Sequence, residues 1–378
     1  MEKVVIAASV RTPSGIFAGN LKGITEQHLG AKVMVEVLER AGLAPELMDE
    51  IILGTAKQTS TPSNCARHAA LIARLPVSVP AYTIQRQSAS GSQAIANAFY
   101  AIRSGDAKAV IAGGTENMSL IPREIHNARY SFNESTRIIF DPIAAQISGA
   151  QPVGRYGVQT VESLSQNIAQ LYGISDQEQE AYARRSVQKA RVRSCGTEIL
   201  PLQVKKGKTT ETIAEDQWYE EIHTVAQPAD GAAVSVLLSG SAASAAGAGV
   251  VAELVSIGIS AGKPTAEGLI GTEAIRSALA KAQIEMSGID LVEHTEMSAA
   301  QSIALGREFI KLGMSAQDVE TKVNQNGGTL ATGNPWGASG AILVTRAFYG
   351  LQARSAKTAL VVVPAEGGQT MAMVLRKI

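Results

Sequence analysis

The sequence predicts an α/β protein made of two similar halves. Short apolar strands alternate with amphipathic helices along the whole chain, which is typical of sheets covered by helices. A set of short segments from the first third of the chain recurs near its end. With 378 residues, of which 45% are hydrophobic, the chain can also bury a large core. Together these observations predict mostly parallel sheets in two related units.

The same alternation of elements is present in both halves. In the first half we expect strands over residues 4–10, 51–54 and 109–112 and helices over 26–41 and 94–102. In the second half we expect strands over 251–259, 291–293 and 358–363 and a helix over 268–282. The two series match in the type and order of their elements.

The internal repeat aligns without a gap. Its matching segments are Ala89-Ser90-Gly91 with Ala338-Ser339-Gly340, Ala98-Phe99-Tyr100 with Ala347-Phe348-Tyr349, and Ala107-Lys108 with Ala356-Lys357. An apolar strand and a Gly-Gly pair follow each copy. The repeat therefore predicts a duplicated βα unit.

A polar stretch separates the two halves. It contains a predicted helix over 177–193 and a charged loop over 205–221. We predict an N-terminal half over 1–119 and 229–248, a loop domain over 120–228, and a C-terminal half over 249–378.

Charge and composition exclude several classes of partner. The 34 Lys and Arg residues balance 34 Asp and Glu residues, so nothing favours nucleic acid or an anionic membrane as a partner. The chain opens directly into a strand and has no apolar run of about 20 residues, which predicts a cytoplasmic protein without a membrane span. Cys65 and Cys195 are too few for a disulfide framework.

Ser88 lies at a position suited to a nucleophile. Thr83 and Ile84 end a predicted strand, Ser90-Gly91 permit a tight turn, and a helix follows. The N-terminus of a helix favours negative charge and lowers the pKa of a cysteine thiol there, whereas a serine gains much less.

The segment around Ser88 resembles the nucleophile segment of the thiolase family, which reads arginine, one residue, cysteine, a small residue, Ser-Gly, one residue, Gln-Ala. Further similar segments are Ala112 to Ser119, Asn326-Gly327-Gly328 and Gly337 to Gly340, and the resemblance covers nearly the whole chain. It implies a five-layer α/β/α/β/α fold with an inserted loop domain. It also implies a homodimer or homotetramer.

The resemblance places three replaced residues at the family's catalytic positions. Ser88 stands at the acyl-carrying cysteine, Asn334 at the histidine, and Pro364 at the second cysteine. None of the three replacements titrates near neutral pH as the family's relay requires. The family's Asn-Glu-Ala-Phe segment reads Thr295-Glu296-Met297-Ser298, which removes an asparagine of the oxyanion site.

Two sets of side chains could supply a substitute site. If the turn after Pro364 keeps its backbone course, the N–H groups of Ser88 and Glu366 still point into the oxyanion site. Glu366 itself either crowds this site or points to solvent. His294 and Glu296 alternate by two and could form a serine hydrolase-like set with Ser88.

The resemblance also implies where an acyl-CoA would bind. Glu366, Gly367 and Ser339 are the residues expected to contact it, while the segment before Asp230 is short and predicts a reshaped or closed CoA tunnel. The sequence predicts no cofactor and no metal, with CoA or acyl-CoA as the possible substrate.

Three functions fit these patterns. The first is a degenerate thiolase that acts as a partner or regulator, possibly in a hetero-complex with an active thiolase or another acyl-CoA enzyme. The second is an enzyme with altered chemistry, such as Ser88-based acyl transfer, thioester hydrolysis or retro-aldol cleavage. The third is an ordinary acetyl-CoA acetyltransferase, against which the missing groups argue.

Overall fold

One continuous mixed sheet runs through both halves of the chain in this computed structural model, which describes residues 2–126, 128–131, 138–192, 196–353 and 356–378. The described strands are β1 (Val4–Arg11), β2 (Gly15–Ile16), β3 (Glu50–Gly54), β4 (Ala81–Ile84), β5 (Ala109–Asn117), β6 (Glu124–Ile125), β7 (Ile139–Phe140), β8 (Leu202–Lys206), β9 (Thr209–Ile213), β10 (Ala229–Ser239), β11 (Ala252–Ala261), β12 (Leu291–His294), β13 (Thr358–Ala365) and β14 (Gln369–Lys377). The pairs β6–β7 and β8–β9 form separate hairpins.

The helices cover this sheet on both faces. The described α-helices are α1 (Glu26–Ala41), α2 (Cys65–Ile72), α3 (Ser90–Ser104), α4 (Ala128–Ser131), α5 (Gln146–Gly149), α6 (Val153–Tyr156), α7 (Val161–Tyr172), α8 (Asp176–Val192), α9 (Gly240–Ala246), α10 (Thr272–Ala282), α11 (Ala299–Lys311), α12 (Ala316–Lys322), α13 (Thr329–Thr332) and α14 (Trp336–Ala353). Several end at a glycine in the left-handed conformation, as at Gly42 and Gly105. None of the described helices is long and apolar enough to cross a membrane.

The strand order confirms the predicted duplication. From one edge it reads β4-β3-β5-β10-β1-β11-β14-β13-β12, so that apart from β4 it is symmetric about the β1–β11 pair. The two halves meet where Val5 and Ile6 pair with Glu253 and Ala252. Each half therefore has the same four-strand arrangement, and the second half lacks a counterpart of β4.

The prediction of mostly parallel sheets is wrong. Among the described strands of the main sheet, three neighbouring pairs are parallel (β3–β4, β3–β5 and β12–β13) and six are antiparallel. The cause lies in β10 and β14, which each separate two strands of their own half. The connection from β13 to β14 has only three residues, and a turn this short can join only antiparallel neighbours.

Three apolar cores hold together the five layers that the resemblance implies, and the inner core spans both sides of the middle helix layer. Helices α3 and α14 pack in the inner core against strands of both halves. Helices α1 and α2 cover the outer face of the first half, and α7, α10 and α11 cover that of the second. Strands β5 and β10 are buried along their whole length, although Glu116 and Asn117 of β5 and Asp230 of β10 are polar.

Helices α3 and α14 approach each other closely because glycine lies at their contact. A Cβ atom at Gly91 would lie 2.8 Å from the carbonyl oxygen of Gly337. A Cβ atom at Gly340 would lie 1.9 Å from Ser92 Oγ and 2.8 Å from Ser92 N. The repeated Ser-Gly segments thus provide the contact between the two central helices.

The segment between β5 and β10 carries helices α4 to α8 and both small hairpins. The helix predicted over 177–193 is confirmed as α8. The predicted charged loop over 205–221 instead contains most of the β8–β9 hairpin. Lys205 and Lys206 of β8 and the first four residues of β9 are polar and exposed, so the segment did not read as strands. Cys65 is a buried free thiol, and Cys195 lies outside the described residues. The boundaries proposed for the three domains stay predictions.

Glu116 links the two halves through its buried carboxylate. Its oxygens accept hydrogen bonds from the backbone N–H groups of Ala56 (2.7 Å) and Lys57 (3.3 Å) in the first half and Gly337 (2.8 Å) in the second. Burial raises the pKa of Glu116 from 4.5 to about 7, although these N–H donors act in the opposite direction.

We predict that Gly340→Ala lowers the free energy of unfolding by about 1–3 kcal/mol, because the new methyl group overlaps α3. Urea unfolding measures this change. Gly154→Ala in α6 is the matched control, since nothing lies within 4 Å of a Cβ there. Replacing glycine by alanine inside a helix raises the free energy of unfolding by roughly 0.5–1 kcal/mol. Equal effects of the two substitutions would contradict the close approach of α3 and α14.

We predict that Glu116 makes stability fall as the pH rises from 4.5 towards 7. In this window the carboxyl group of Glu116 is ionised in the unfolded chain while it is still protonated in the folded protein. The free energy of unfolding therefore falls by at most on the order of 3 kcal/mol as the pH rises through it. Denaturant unfolding at pH 5 and pH 7.5 should show a smaller fall for Glu116→Gln. Asp230, whose pKa burial raises to about 6, contributes equally to both proteins. An unchanged fall in the variant would contradict the prediction.

Candidate active site

Ser88 lies in the turn between β4 and α3, as the sequence predicts. Gln87 before it has a left-handed backbone with φ of +50°. The Ser90 hydroxyl stabilises this turn, because it accepts the N–H of Arg86 at 2.8 Å and donates to the carbonyl of Gln87 at 2.6 Å. The turn directs the N–H and the hydroxyl of Ser88 into the protein interior.

Both polar groups of Ser88 bind the carboxylate of Glu366. The backbone N–H donates to Glu366 Oε2 at 3.0 Å, and the hydroxyl lies 2.8 and 2.9 Å from the two carboxylate oxygens. Ser88 is 3% exposed and Glu366 is 4% exposed. A carboxylate beside the N-terminus of the 15-residue helix α3 also has a favourable electrostatic position.

This contact corrects two expectations for Glu366. The N–H of Ser88 is not free for a substrate carbonyl, because Glu366 already accepts it. The alternative that Glu366 points to solvent is also wrong, since the side chain is buried. The physical reason is the tight turn between β13 and β14, in which Gly367 and Gly368 adopt φ of +80° and +73°.

Asn334 and Ser339 lie together near the start of α14. The Ser339 hydroxyl donates to Asn334 Oδ1, and the Asn334 N–H donates to the carbonyl of Gln227 at 2.8 Å. Both residues are buried. The hydroxyl expected to contact CoA is thus engaged inside the protein, and a CoA contact by Ser339 or Gly367 stays a prediction.

Pro364 lies in β13 opposite Thr370 of β14, and it is buried. It carries no group that could accept or donate a proton, as the sequence indicates.

The predicted set of Ser88, His294 and Glu296 does not form. The hydroxyl of Ser88 bonds to Glu366 rather than to His294. Strand β12 ends at His294, so the alternation that would put His294 and Glu296 on one face does not continue. Among the described residues His294 Nε2 has no hydrogen-bond partner, and burial lowers the pKa of this histidine.

Glu296 instead holds helix α8 against the second half. Its carboxylate accepts the hydroxyls of Tyr182 (3.1 Å) and Ser186 (2.7 Å) in α8. It also accepts Asn324 Nδ2 at 3.1 Å and the N–H of Leu330 at 3.2 Å. A carboxylate with four donors is a structural anchor, and the sequence motif alone did not reveal its partners.

The short helix α5 covers the Ser88 turn and the Glu366 turn. Gln146 at its start donates from Nε2 to Gln87 Oε1. Ala150 at its end lies against the second turn, where a Cβ atom at Gly367 would approach the Ala150 carbonyl oxygen to 3.0 Å. Nothing in the sequence indicated the Gln87–Gln146 contact, because neither glutamine belongs to a pattern that predicts a partner.

A small apolar cluster fills the adjacent space. Trp336 packs with Ala56 and Met118, and the partly buried Ile121 and Ile143 complete the cluster. Among the described residues no group of three or more His, Cys, Asp and Glu side chains is arranged to hold a metal ion. The candidate site thus consists of the buried, hydrogen-bonded side chains of Ser88 and Glu366 beneath helix α5.

Known proteins share this architecture. Residues 4–238 match the model of the thiolase N-terminal domain, and residues 248–377 match that of the thiolase C-terminal domain. The chain is 35% identical to an acetyl-CoA acetyltransferase of Pseudomonas aeruginosa, with all of both chains covered. It is 32% identical to one of Syntrophomonas wolfei, over 99% of this chain and 98% of that one.

The crystal structure of the Bacillus anthracis acetyl-CoA acetyltransferase superposes with a TM-score of 0.93. It is 29% identical and covers 100% of this chain and 99% of its own. The matches extend over both halves and the segment between them. The chain belongs to the thiolase family.

Proposed function

We propose that this thiolase-family protein does not catalyse Claisen condensation or thiolysis and acts as a partner or regulatory subunit. Thiolases act on CoA thioesters without a further cofactor, and they commonly assemble as homodimers or tetramers. The observation that carries the proposal is the carboxylate of Glu366 on the N–H of Ser88. An acyl thioester that entered this site would meet an anion where its carbonyl oxygen should bind.

The replaced side chains support the same conclusion. Loss of an oxyanion donor lowers a rate by about 10²–10³-fold, and loss of an acid or base lowers it by about 10²–10⁴-fold. Ser88, Asn334 and Pro364 together lack every titrating group of the family's relay. A homodimer or tetramer, a hetero-complex with an active acyl-CoA enzyme and a cytoplasmic location belong to this proposal.

One contact favours a second candidate, an enzyme with altered chemistry. The Ser88 hydroxyl lies within hydrogen-bond reach of a carboxylate, which is the geometry of a nucleophile and its base. The carboxylate of Glu366, however, also accepts the backbone N–H of Ser88, which would otherwise stabilise an oxyanion. We therefore rank this candidate second, with Ser88→Ala as its test.

We predict that the purified protein cleaves acetoacetyl-CoA with CoA at least about 10⁴-fold more slowly than an acetyl-CoA acetyltransferase, given the joint losses. The assay follows loss of acetoacetyl-CoA, with intact-mass analysis for an acyl adduct. The variant Ser88→Cys, Asn334→His, Pro364→Cys, Glu366→Gly should regain measurable thiolysis, and the same set without Ser88→Cys is its matched control. Rapid thiolysis by the unchanged protein that Ser88→Ala abolishes would overturn the proposal.

We predict that acetate specifically stabilises Glu366→Ala. This variant leaves two buried donors of Ser88 unsatisfied, which costs about 1–3 kcal/mol for each unsatisfied group, and acetate restores a carboxylate there. The measurement is the melting temperature in sodium acetate against sodium chloride of equal ionic strength. Glu273→Ala, an exposed glutamate of α10, is the control. Equal acetate effects on both variants would show that Glu366 does not fill an anion site.

A further inference from the structure

Two buried carboxylates hold the starts of the two central helices. Glu366, in the second half, accepts the N–H of Ser88 at 3.0 Å, two residues before α3 of the first half. Glu116, in the first half, accepts the N–H of Gly337 at 2.8 Å, at the start of α14 of the second half. Both glutamates are buried. Each half therefore supplies a carboxylate to the central helix of the other half.

The internal repeat relates the two N–H donors. Ser88 immediately precedes the segment Ala89-Ser90-Gly91, and Gly337 immediately precedes its repeated copy, Ala338-Ser339-Gly340. Because this repeat aligns without a gap, Ser88 and Gly337 occupy the same position in the duplicated unit. The donor of one contact is thus the counterpart of the donor of the other.

The two acceptors come from equivalent strands. Strands β5 and β13 each lie between one parallel and one antiparallel neighbour. Glu116 is the last residue but one of β5, and Glu366 directly follows the last residue of β13. When Lys108 is aligned with Lys357, Glu366 is displaced by one residue from the counterpart of Glu116. The two contacts are therefore nearly the same contact, made once by each half.

Small residues at the two donors let the carboxylates approach. A Cβ atom at Gly337 would lie 2.6 Å from Glu116 Oε2, so only glycine fits there without a shift. At the other contact the donor keeps a short side chain, and the Ser88 hydroxyl lies 2.8 and 2.9 Å from the oxygens of Glu366. Glu116 accepts the N–H groups of Ala56 and Lys57 in addition to that of Gly337. Both carboxylates thus have more than one donor.

Electrostatics and a neighbouring contact favour the same arrangement. Helices α3 and α14 have 15 and 18 residues, and the N-terminus of a helix carries a partial positive charge that stabilises a carboxylate. Arg86 Nη1 also donates to Gln369 Oε1 at 2.7 Å. This bond is a second link between the turn that holds Ser88 and the β13–β14 hairpin.

A cation lies near both carboxylates. Burial lowers the pKa of the half-buried Lys57 ammonium, and four carboxylates act in the opposite direction, those of Glu124, Glu116, Glu366 and Asp141. A buried anion is much less unfavourable when a cation is close to it. Lys57 therefore supplies positive charge to both contacts, although they belong to different halves.

We propose that Glu366 and Glu116 form two reciprocal clasps, each a carboxylate of one half that fixes the start of the central helix of the other half. In this chain the position of the family's nucleophile then serves to couple the two halves. Loss of either carboxylate loosens a helix start in the half that does not carry it. The clasps concern the protein without a ligand, so they do not rest on the function proposed above.

Hydrogen–deuterium exchange of the full-length protein, read by mass spectrometry, tests the clasps. Glu366→Ala should speed exchange over residues 88–94 by about 10-fold or more, relative to the amides of α10 in the same variant. Glu116→Ala should have the same effect over residues 337–342. If Glu116→Ala does not fold, Glu116→Gln takes its place and should give a smaller increase over the same residues, because it keeps one acceptor oxygen.

Asp290→Ala is the matched control. The Asp290 carboxylate also accepts two backbone N–H groups, those of Lys357 and Thr358, but donors and acceptor all belong to the second half. This variant should leave both helix starts unchanged. Faster exchange confined to the half that carries the substituted glutamate overturns the proposal, and so does an equal effect of Asp290→Ala and Glu366→Ala. No substrate is added, so the result does not depend on whether the protein catalyses thiolysis.

Discussion

The close contact of α3 and α14 is the constraint on which the rest of the molecule depends. Helix α3 packs against strands of the first half and α14 against strands of both halves, and glycines at their contact let their backbones meet. The Ser88 turn immediately precedes α3, and the Asn334 segment immediately precedes α14. The contact therefore brings two segments that are far apart in sequence to one place. A carboxylate from a third segment, Glu366, completes this meeting point.

The backbone of this meeting point is built from regular elements. Strand, turn and helix around Ser88 are intact, as is the glycine-rich turn after β13. The side chain of Glu366 in that turn accepts the backbone N–H of Ser88, so this N–H is not free to bind a carbonyl oxygen. Because an ionised carboxylate forms strong hydrogen bonds and benefits from a helix N-terminus, Glu366 competes well with any neutral carbonyl.

The sequence predicted much of the fold because the governing signals are local. Periodicity identified α1, α8 and most strands of the main sheet, and the repeated Ala-Ser-Gly segment revealed the duplication. It did not predict strand direction, since β10 and β14 insert between strands that are distant in sequence. Motifs singled out Ser88, Asn334 and Pro364. The contact between Glu366 and Ser88 could not be predicted, because a glutamate in a turn is equally suited to solvent. The partners of Glu296 could not be predicted either, since two of the four lie on a helix more than 100 residues away.

The duplicated halves share one inner core, and this limits their independence. Each half supplies one helix to a middle layer that neither half can complete, and the sheet itself is continuous across the β1–β11 pair. A chain divided near residue 248 would expose the inner faces of both halves of the sheet. The two copies therefore constitute a single cooperative unit in unfolding, so that a loosened contact in one copy lowers the stability of the other as well.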